Sequence, residues 1–304
     1  MVEVTLVEVG PRDGLQNEPT PIPSLAKIAL VDALAEAGLT RIEAGAFVNP
    51  QWVPQMADGE QVFTDIKRRP GVRYAALVPN ARGAERALAV KADELAVFAA
   101  ATDAFSQKNT NCTVAESLAR FEPVIAQAKA AGVPVRGYIS CVIACPYSGA
   151  VDPAQVTRIA EDLRALGCYE ISLGDTTGVG TPRQVDQLVN AVSARLPVDK
   201  LAVHMHDTYG QALTNIYVAL QQGVRVVDSA VAGLGGCPYA PGAAGNVATE
   251  DVIYLLNGLG LEHGVDLDKV AAAGRAICQQ LGRPSTSKVA QALAARHSST
   301  KNDS

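Results

Sequence analysis

The residues of this chain best suited to chemistry gather in one stretch, Val203 to Asn246. It opens with His204 and His206, two residues apart at the end of an apolar run, in a chain with only four histidines. In an extended strand residues i and i+2 point to the same face. Two imidazoles at that spacing can share one metal ion. The stretch ends in GLGGCPYAPGAAGN, a glycine-rich loop carrying Cys237 and closed by Asn246. Two ligands, a mobile loop and a thiol so close together point to an active site rather than to packing. A lone His-x-His also arises by chance on surface strands, so the reading depends on what the rest of the chain brings to this stretch.

The elements that must position these residues follow from apolar pattern and punctuation. Strands are expected at Val2 to Val9, Arg41 to Ala44, Val72 to Val78, Glu94 to Ala100, Val133 to Cys141, Tyr169 to Leu173, Leu201 to His206 and Val224 to Val231. Helices are expected at Ser24 to Ala37, within Pro54 to Arg69, and at Ala81 to Lys91, Val114 to Ala131, Pro153 to Leu166, Pro182 to Arg195 and Tyr209 to Gln222. Ser24 and Asp152 suit helix starts, Gly38 a stop, and Pro182 a first helical turn. Strands alternating with helices imply parallel βα units. Eight of them predict an α/β fold, a closed (β/α)8 TIM barrel. An open doubly wound sheet is the rival, but no G-x-G-x-x-G follows the first strand. Past Asn246, helices at Glu250 to Asn257, Leu267 to Leu281 and Ser287 to Ala295 would close the eighth unit and add a C-terminal helical segment. Residues 1–295 then form a single catalytic domain and 296–304 a polar tail.

Composition excludes several classes. A net charge of −5 and no basic stripe argue against nucleic-acid binding. No apolar run approaches the ~20 residues of a membrane span. The N-terminus reads as a strand rather than a signal peptide. Six cysteines in 304 residues are too few for a disulfide scaffold, which fits a cytoplasmic setting. Cys141 and Cys145 form a loose C-x-x-x-C and are expected to be buried small hydrophobes. The extra C-terminal helices suggest a homodimer.

A barrel enzyme keeps its chemistry at the C-terminal ends of the strands. That rule collects Arg12 and Asp13 after the first strand, Glu43 on the second, Asp175 at the sixth, His204, His206 and Asp207 at the seventh, and Cys237 and Asn246 after the eighth. Asp175 and Asp207 could each simply cap the next helix. Asp13, two imidazoles and an amide oxygen make a mixed N/O set, which favours Mg²⁺ or Mn²⁺ and admits Zn²⁺ or Co²⁺. Glu43 and Asp175 then serve to orient ligands, and Arg12 supplies positive charge where an oxyanion develops. An imine mechanism finds no suitable lysine: Lys200 falls at the start of a strand, and Lys27, Lys91 and Lys129 on or beyond helices.

The segments VEVGPRDGLQNEP, SLGDTTGVGTP, HMHDTYGQAL and SAVAGLGGCPYAPGAAGN together resemble the 3-hydroxy-3-methylglutaryl-CoA lyase family. That family sits within a larger group of metal-dependent barrel lyases and Claisen-type synthases, and the likeness runs from about Val2 to Ala290. It implies cleavage of 3-hydroxy-3-methylglutaryl-CoA to acetyl-CoA and acetoacetate. It implies a divalent metal held by Asp13, His204, His206 and Asn246, and Arg12 beside the enolate. Glu43 and Asp175 would support the site, Cys237 would ride on a loop that closes over substrate, and Asn109 would lie near the CoA. Many relatives carry a lysine where this chain has Pro19, so a contact made there is not expected here.

The reaction makes physical sense with these residues. The base is Asp13 or His204, and Cys237 is the nearest acid for the carbon. The alternatives are a lyase for a longer-chain 3-hydroxyglutaryl-CoA, a synthase condensing acetyl-CoA with a 2-oxo acid, and an inactive barrel that only binds.

Overall fold

The computed structural model describes residues 3–236 and 245–300, and Cys237 lies outside them. Eight parallel strands close a barrel: β1 (Thr5–Glu8), β2 (Arg41–Ala46), β3 (Arg73–Leu77), β4 (Glu94–Ala100), β5 (Val135–Ser140), β8 (Glu170–Asp175), β9 (Leu201–Met205) and β10 (Val226–Ser229). Each pairs with its sequence neighbour around the barrel, and β10 closes on β1. β6 (Ala144–Cys145) and β7 (Gly149–Ala150) form a short antiparallel hairpin outside it. Strands covered on both faces need continuous apolar runs rather than alternation. ELAVFAA of β4 meets that condition, with all but Phe98 buried.

The outer layer runs through α1 (Ser24–Glu36), α2 (Gly59–Asp65), α3 (Ala81–Ala89), α5 (Val114–Ala130), α6 (Pro153–Leu166), α7 (Pro182–Ser193), α8 (Ala212–Gln221) and α9 (Thr249–Leu259). Local chemistry sets their starts. Asp152 accepts from Ala154 N at 2.9 Å ahead of Pro153 at the first turn of α6. Thr113 and Glu116 make a capping box on α5. Ser24 is not the cap expected: α1 begins on it, Pro23 takes the cap position, and the Ser24 hydroxyl binds Asp58 at 2.7 Å.

Three other expectations shift. Pro54–Met56 is a separate 3₁₀ turn, leaving α2 only seven residues. A further helix, α4 (Asp103–Thr110), stands where no helix was expected, capped by the Thr102 side chain. The loop after β1 contains a π turn, Gly10–Gly14. The C-terminal helices α10 (Leu267–Leu281) and α11 (Lys288–Thr300) pack on their own barrel, α10 against α1 and α11 against α9. Asp266 N donates to Ala37 O at 2.7 Å at that seam. Gly38 is obligatory there, with φ +101° and the Gly264 carbonyl 2.4 Å from where a Cβ would sit.

The barrel interior is less apolar than its strands suggest. Arg136 of β5 donates to Glu170 at 2.6 Å, Glu170 also accepts from Arg41, and Arg73 meets Glu94 at 2.9 Å. Buried charges survive only when paired and hydrogen-bonded, and this network meets that rule except at Arg41 Nε, which has no partner among the described residues.

Candidate active site

The site forms where the C-terminal ends of β1, β9 and β10 meet. The π turn after β1 closes on a bond from Gly14 N to Val9 O of 3.1 Å and carries Arg12 and Asp13 inward. Single π turns recur at functional positions because the wider ring re-aims successive side chains. His204 belongs to β9, and His206 sits one residue past its end, bridged to Asn246 in antiparallel fashion. Asn246 reaches that bridge because its own strap is tight. A Cβ on Gly245 would meet the Gly235 backbone at 2.3 Å.

Asp13, His204 and His206 each present a ligand atom, and these lie within 4.8 Å of one another. His204 Nε2 is 3.8 Å from Asp13 Oδ2, and the two imidazole centroids are 5.3 Å apart. Asn246 Nδ2 donates to Asp13 Oδ2 at 2.8 Å and to Leu234 O at 3.2 Å, which brings the amide to the edge of the three. Burial opposes ionisation of Asp13, but Arg12 and the two histidines outweigh it and hold the carboxyl well below its usual range. Burial, with His204 beside it, pushes His206 down to about 4. A neutral imidazole with a free lone pair beside a fixed carboxylate suits a divalent cation. His206 Nδ1 is moreover buried with no hydrogen-bond partner among the described residues. The residues present therefore fit a metal.

Arg12 is clamped. Its Nε donates to Glu43 Oε1 at 2.9 Å and its Nη2 to Glu43 Oε2 at 3.1 Å, while Nη1 donates to Asp13 Oδ1 at 2.6 Å. Tyr138 OH donates to Glu43 Oε2 at 2.9 Å, and the Tyr138 ring centroid lies 5.9 Å from the Arg12 guanidinium. Glu43 was expected to orient a ligand. Its direct partner is instead the guanidinium, whose fork matches a carboxylate. Asp175 is wholly buried at the end of β8. One oxygen accepts from Gly180 N at 2.7 Å and secures the loop, and the other has no partner among the described residues. Burial pushes its carboxyl up. Asp207 does what a capping residue does, accepting from Ala212 N at 3.0 Å.

A cavity of about 650 Å³ opens over these groups. Arg12, Asp13, His204 and His206 line it together with Val48, Val53, Leu77 and Phe98, and Trp52 stands at its edge, 73% exposed. Asn109, near the end of α4, lines the same cavity beside Thr110 and Arg120. Gly236, the residue before Cys237, lines it too. Among the described lining residues there is no lysine. Cys141 and Cys145 are buried and form no disulfide among the described residues.

Two participants escaped the reading of the sequence. Tyr138 backs both Glu43 and Arg12. Asp228 of β10 lies with Oδ2 3.3 Å from His204 Nδ1. It accepts from Arg136 Nη2 at 2.7 Å, Arg136 Nη1 at 3.1 Å and Ser172 Oγ at 2.7 Å. Burial again opposes ionisation, and Arg136 holds the Asp228 carboxyl well below its usual range. The available signal was a single acid inside the apolar run VRVVDSAV.

Residues 3–277 match the HMGL-like family model. The chain is 58% identical over 294 residues to the 3-hydroxy-3-isohexenylglutaryl-CoA/hydroxy-methylglutaryl-CoA lyase of Pseudomonas aeruginosa, covering 97% of this chain and 98% of that protein. The crystal structure of hydroxymethylglutaryl-CoA lyase from Pseudomonas aeruginosa superposes with a TM-score of 0.95 over 97% of this chain and 98% of that one, again at 58% identity. An HMG-CoA lyase from Acinetobacter baumannii, solved in complex with coenzyme A and 3-methylmalate, gives a TM-score of 0.91 at 38% identity, covering 95% and 94% of the two chains. With the barrel, the Asp13–His204–His206 cluster and these likenesses in hand, the chain belongs to the HMGL-like family, that of the 3-hydroxy-3-methylglutaryl-CoA lyases.

Proposed function

We propose that this chain is a divalent-metal-dependent carbon–carbon lyase that cleaves 3-hydroxy-3-methylglutaryl-CoA to acetyl-CoA and acetoacetate. The observation that carries the reading is one cavity lined both by the Asp13, His204 and His206 donor set and by a guanidinium fixed beside it. Those three residues, with Asn246, would hold Mg²⁺ or Mn²⁺. A bound cation there would polarise the substrate's tertiary hydroxyl and carboxylate.

The protein's own groups account for the rest. Asp13, whose carboxylate keeps lone pairs beyond the one a metal would take, is the acceptor placed for the hydroxyl proton, since the single Nε2 lone pair of His204, 3.8 Å away, would be engaged by the metal. As the bond to the thioester α-carbon breaks, negative charge moves onto the thioester oxygen. Arg12, already desolvated and gripped by Glu43, supplies charge to that oxygen without reorganising. Asp175 secures the loop at Gly180 under the rim. Cys237 is the proposed acid for the carbon: it follows a cavity-lining residue directly, although it lies outside the described residues. The apolar wall of Val48, Val53, Leu77 and Phe98 excludes water and receives the acyl-CoA, with Asn109 on the CoA side.

No disulfide joins the five described cysteines, which supports a reducing, cytoplasmic setting. Among the described residues no helix is long and apolar enough to cross a membrane. A homodimer remains our proposal, with α10 burying its apolar face on its own barrel and α11 packed against α9. Parallel assays on the methyl thioester and on a longer-chain 3-hydroxyglutaryl-CoA test the function. The expected result is acetyl-CoA and acetoacetate in equal amounts, with higher kcat/KM for the methyl substrate. No product from either, or a strong preference for the longer chain, would overturn it.

A further inference from the structure

Asp228 is built as though its position mattered. Three donors from two side chains hold its carboxylate: Arg136 Nη2 at 2.7 Å, Arg136 Nη1 at 3.1 Å and Ser172 Oγ at 2.7 Å. Arg136 is fixed in turn, with Nε on Glu170 at 2.6 Å and Nη1 on Tyr138 OH at 2.7 Å. The parallel pairing of β10 with β9 sets Asp228 level with His204. The one direction left to its Oδ2 is His204 Nδ1, at 3.3 Å. That approach does not meet hydrogen-bond geometry, and His204 Nδ1 has no hydrogen-bond partner among the described residues, which leaves Asp228 as the carboxylate facing it. The opposite ring nitrogen, Nε2, faces Asp13. His206 Nδ1 has no such carboxylate behind it among the described residues.

From this we infer that Asp228 is a positioning residue, taking the Nδ1–H of His204 so that the Nε2 lone pair is presented to the metal site. The inference rests on the metal reading proposed above. A neutral imidazole carries one proton on one of two nitrogens, and the hydrogen bond at one nitrogen decides which remains a ligand. An ionised carboxylate can only accept, so it selects the Nδ1–H tautomer. A purely structural alternative would have Asp228 do no more than neutralise Arg136.

The two differ in what Asp228→Asn does. The amide keeps the volume but has one oxygen, which Arg136 claims, so its N–H turns towards His204 and forces the Nε2–H tautomer. The expected result is Mn²⁺ affinity about 10- to 100-fold weaker, the range for loss of a group behind a ligand. In a His204→Ala background the same change should have no further effect, and in a His206→Ala background it should have its full effect. Equal weakening in the His204→Ala background would overturn the assignment in favour of a general structural role. A second readout needs no variant of Asp228. In ¹⁵N-histidine spectra of the metal-free wild type, assigned by His204→Ala, His204 should be protonated at Nδ1. Protonation at Nε2 would overturn the inference even if Asp228→Asn failed to fold. A wild type that binds no Mn²⁺ would instead defeat the metal reading, and the tautomer would still decide the role of Asp228.

Discussion

Replacing Arg12 with Met separates the two jobs its guanidinium holds. In catalysis it faces an oxygen that gains charge only as the carbon–carbon bond breaks. Removing one such donor costs about 10²–10³ in kcat, or about 3–4 kcal/mol at roughly 1.4 kcal/mol per decade. In the fold it neutralises Glu43, a buried carboxylate that also accepts from Tyr138 OH at 2.9 Å. Breaking a buried pair by removing one partner costs about 3–5 kcal/mol of stability. Arg12→Met should therefore turn over at least about a hundredfold more slowly and also melt at lower temperature. The double variant Arg12→Met/Glu43→Gln removes the stranded charge, so its melting temperature should recover while its kcat stays low. Arg12→Lys keeps charge but loses the fork onto Glu43, so it should rescue only in part. Steady-state kinetics at saturating Mn²⁺, beside thermal melts, give both numbers. A large rise in KM with kcat near wild type would make Arg12 a substrate-binding residue. Recovery of kcat in the double variant would show that the rate loss was only a folding defect. Either outcome refutes the enolate role.

Other predictions draw on separate observations. His206→Ala should weaken Mn²⁺ binding by about 10-fold or more in a titration, and unchanged affinity removes His206 from the ligand set. A thiol alkylating agent should inactivate the enzyme unless substrate is present. Full activity in Cys237→Ala would show that the thiol is not the acid. Burial raises Glu8 from 4.5 to about 7 despite its bonds to Thr249, Val231 and Gly10. Above pH 4.5 the unfolded chain gives up this proton while the folded chain keeps it, so the contribution of Glu8 to stability falls as pH rises towards about 7. Glu8→Gln mimics the protonated form and should gain on wild type by up to about 3 kcal/mol between pH 5 and pH 8 in denaturant melts. An unchanged difference across that range would place the proton elsewhere.

The barrel was legible because its signal is periodic. Runs such as ELAVFAA, and stops such as Gly38, act locally and survive folding unchanged. Asp13, His204 and His206 were legible because strand ends in this fold converge on one rim. What was not legible depends on neighbours distant in sequence. The partner of Glu43 is set by a π turn that no local pattern marks. Asp228 gains its position from the β9–β10 register and from Arg136 on the far side of the barrel. Ser24 read as a cap, yet its hydroxyl found Asp58, thirty-four residues on. The helix at Asp103–Thr110 was hidden because FSQKNTNC lacks an apolar stripe and depends on the Thr102 cap and the barrel beneath it. From sequence the C-terminal helices could pack on the barrel or on a partner, because the surface of α1 that meets α10 is assembled only in the fold.

The central claim is that the cluster of Asp13, His204 and His206 holds a divalent cation the reaction requires. The most direct measurement follows acetoacetate release from 3-hydroxy-3-methylglutaryl-CoA by one preparation in three states: as purified, stripped by a chelator, and reloaded with Mn²⁺ or Mg²⁺. Turnover should disappear on stripping and return on reloading, and Asp13→Ala should abolish the return. Full turnover by protein shown to be metal-free would contradict the claim.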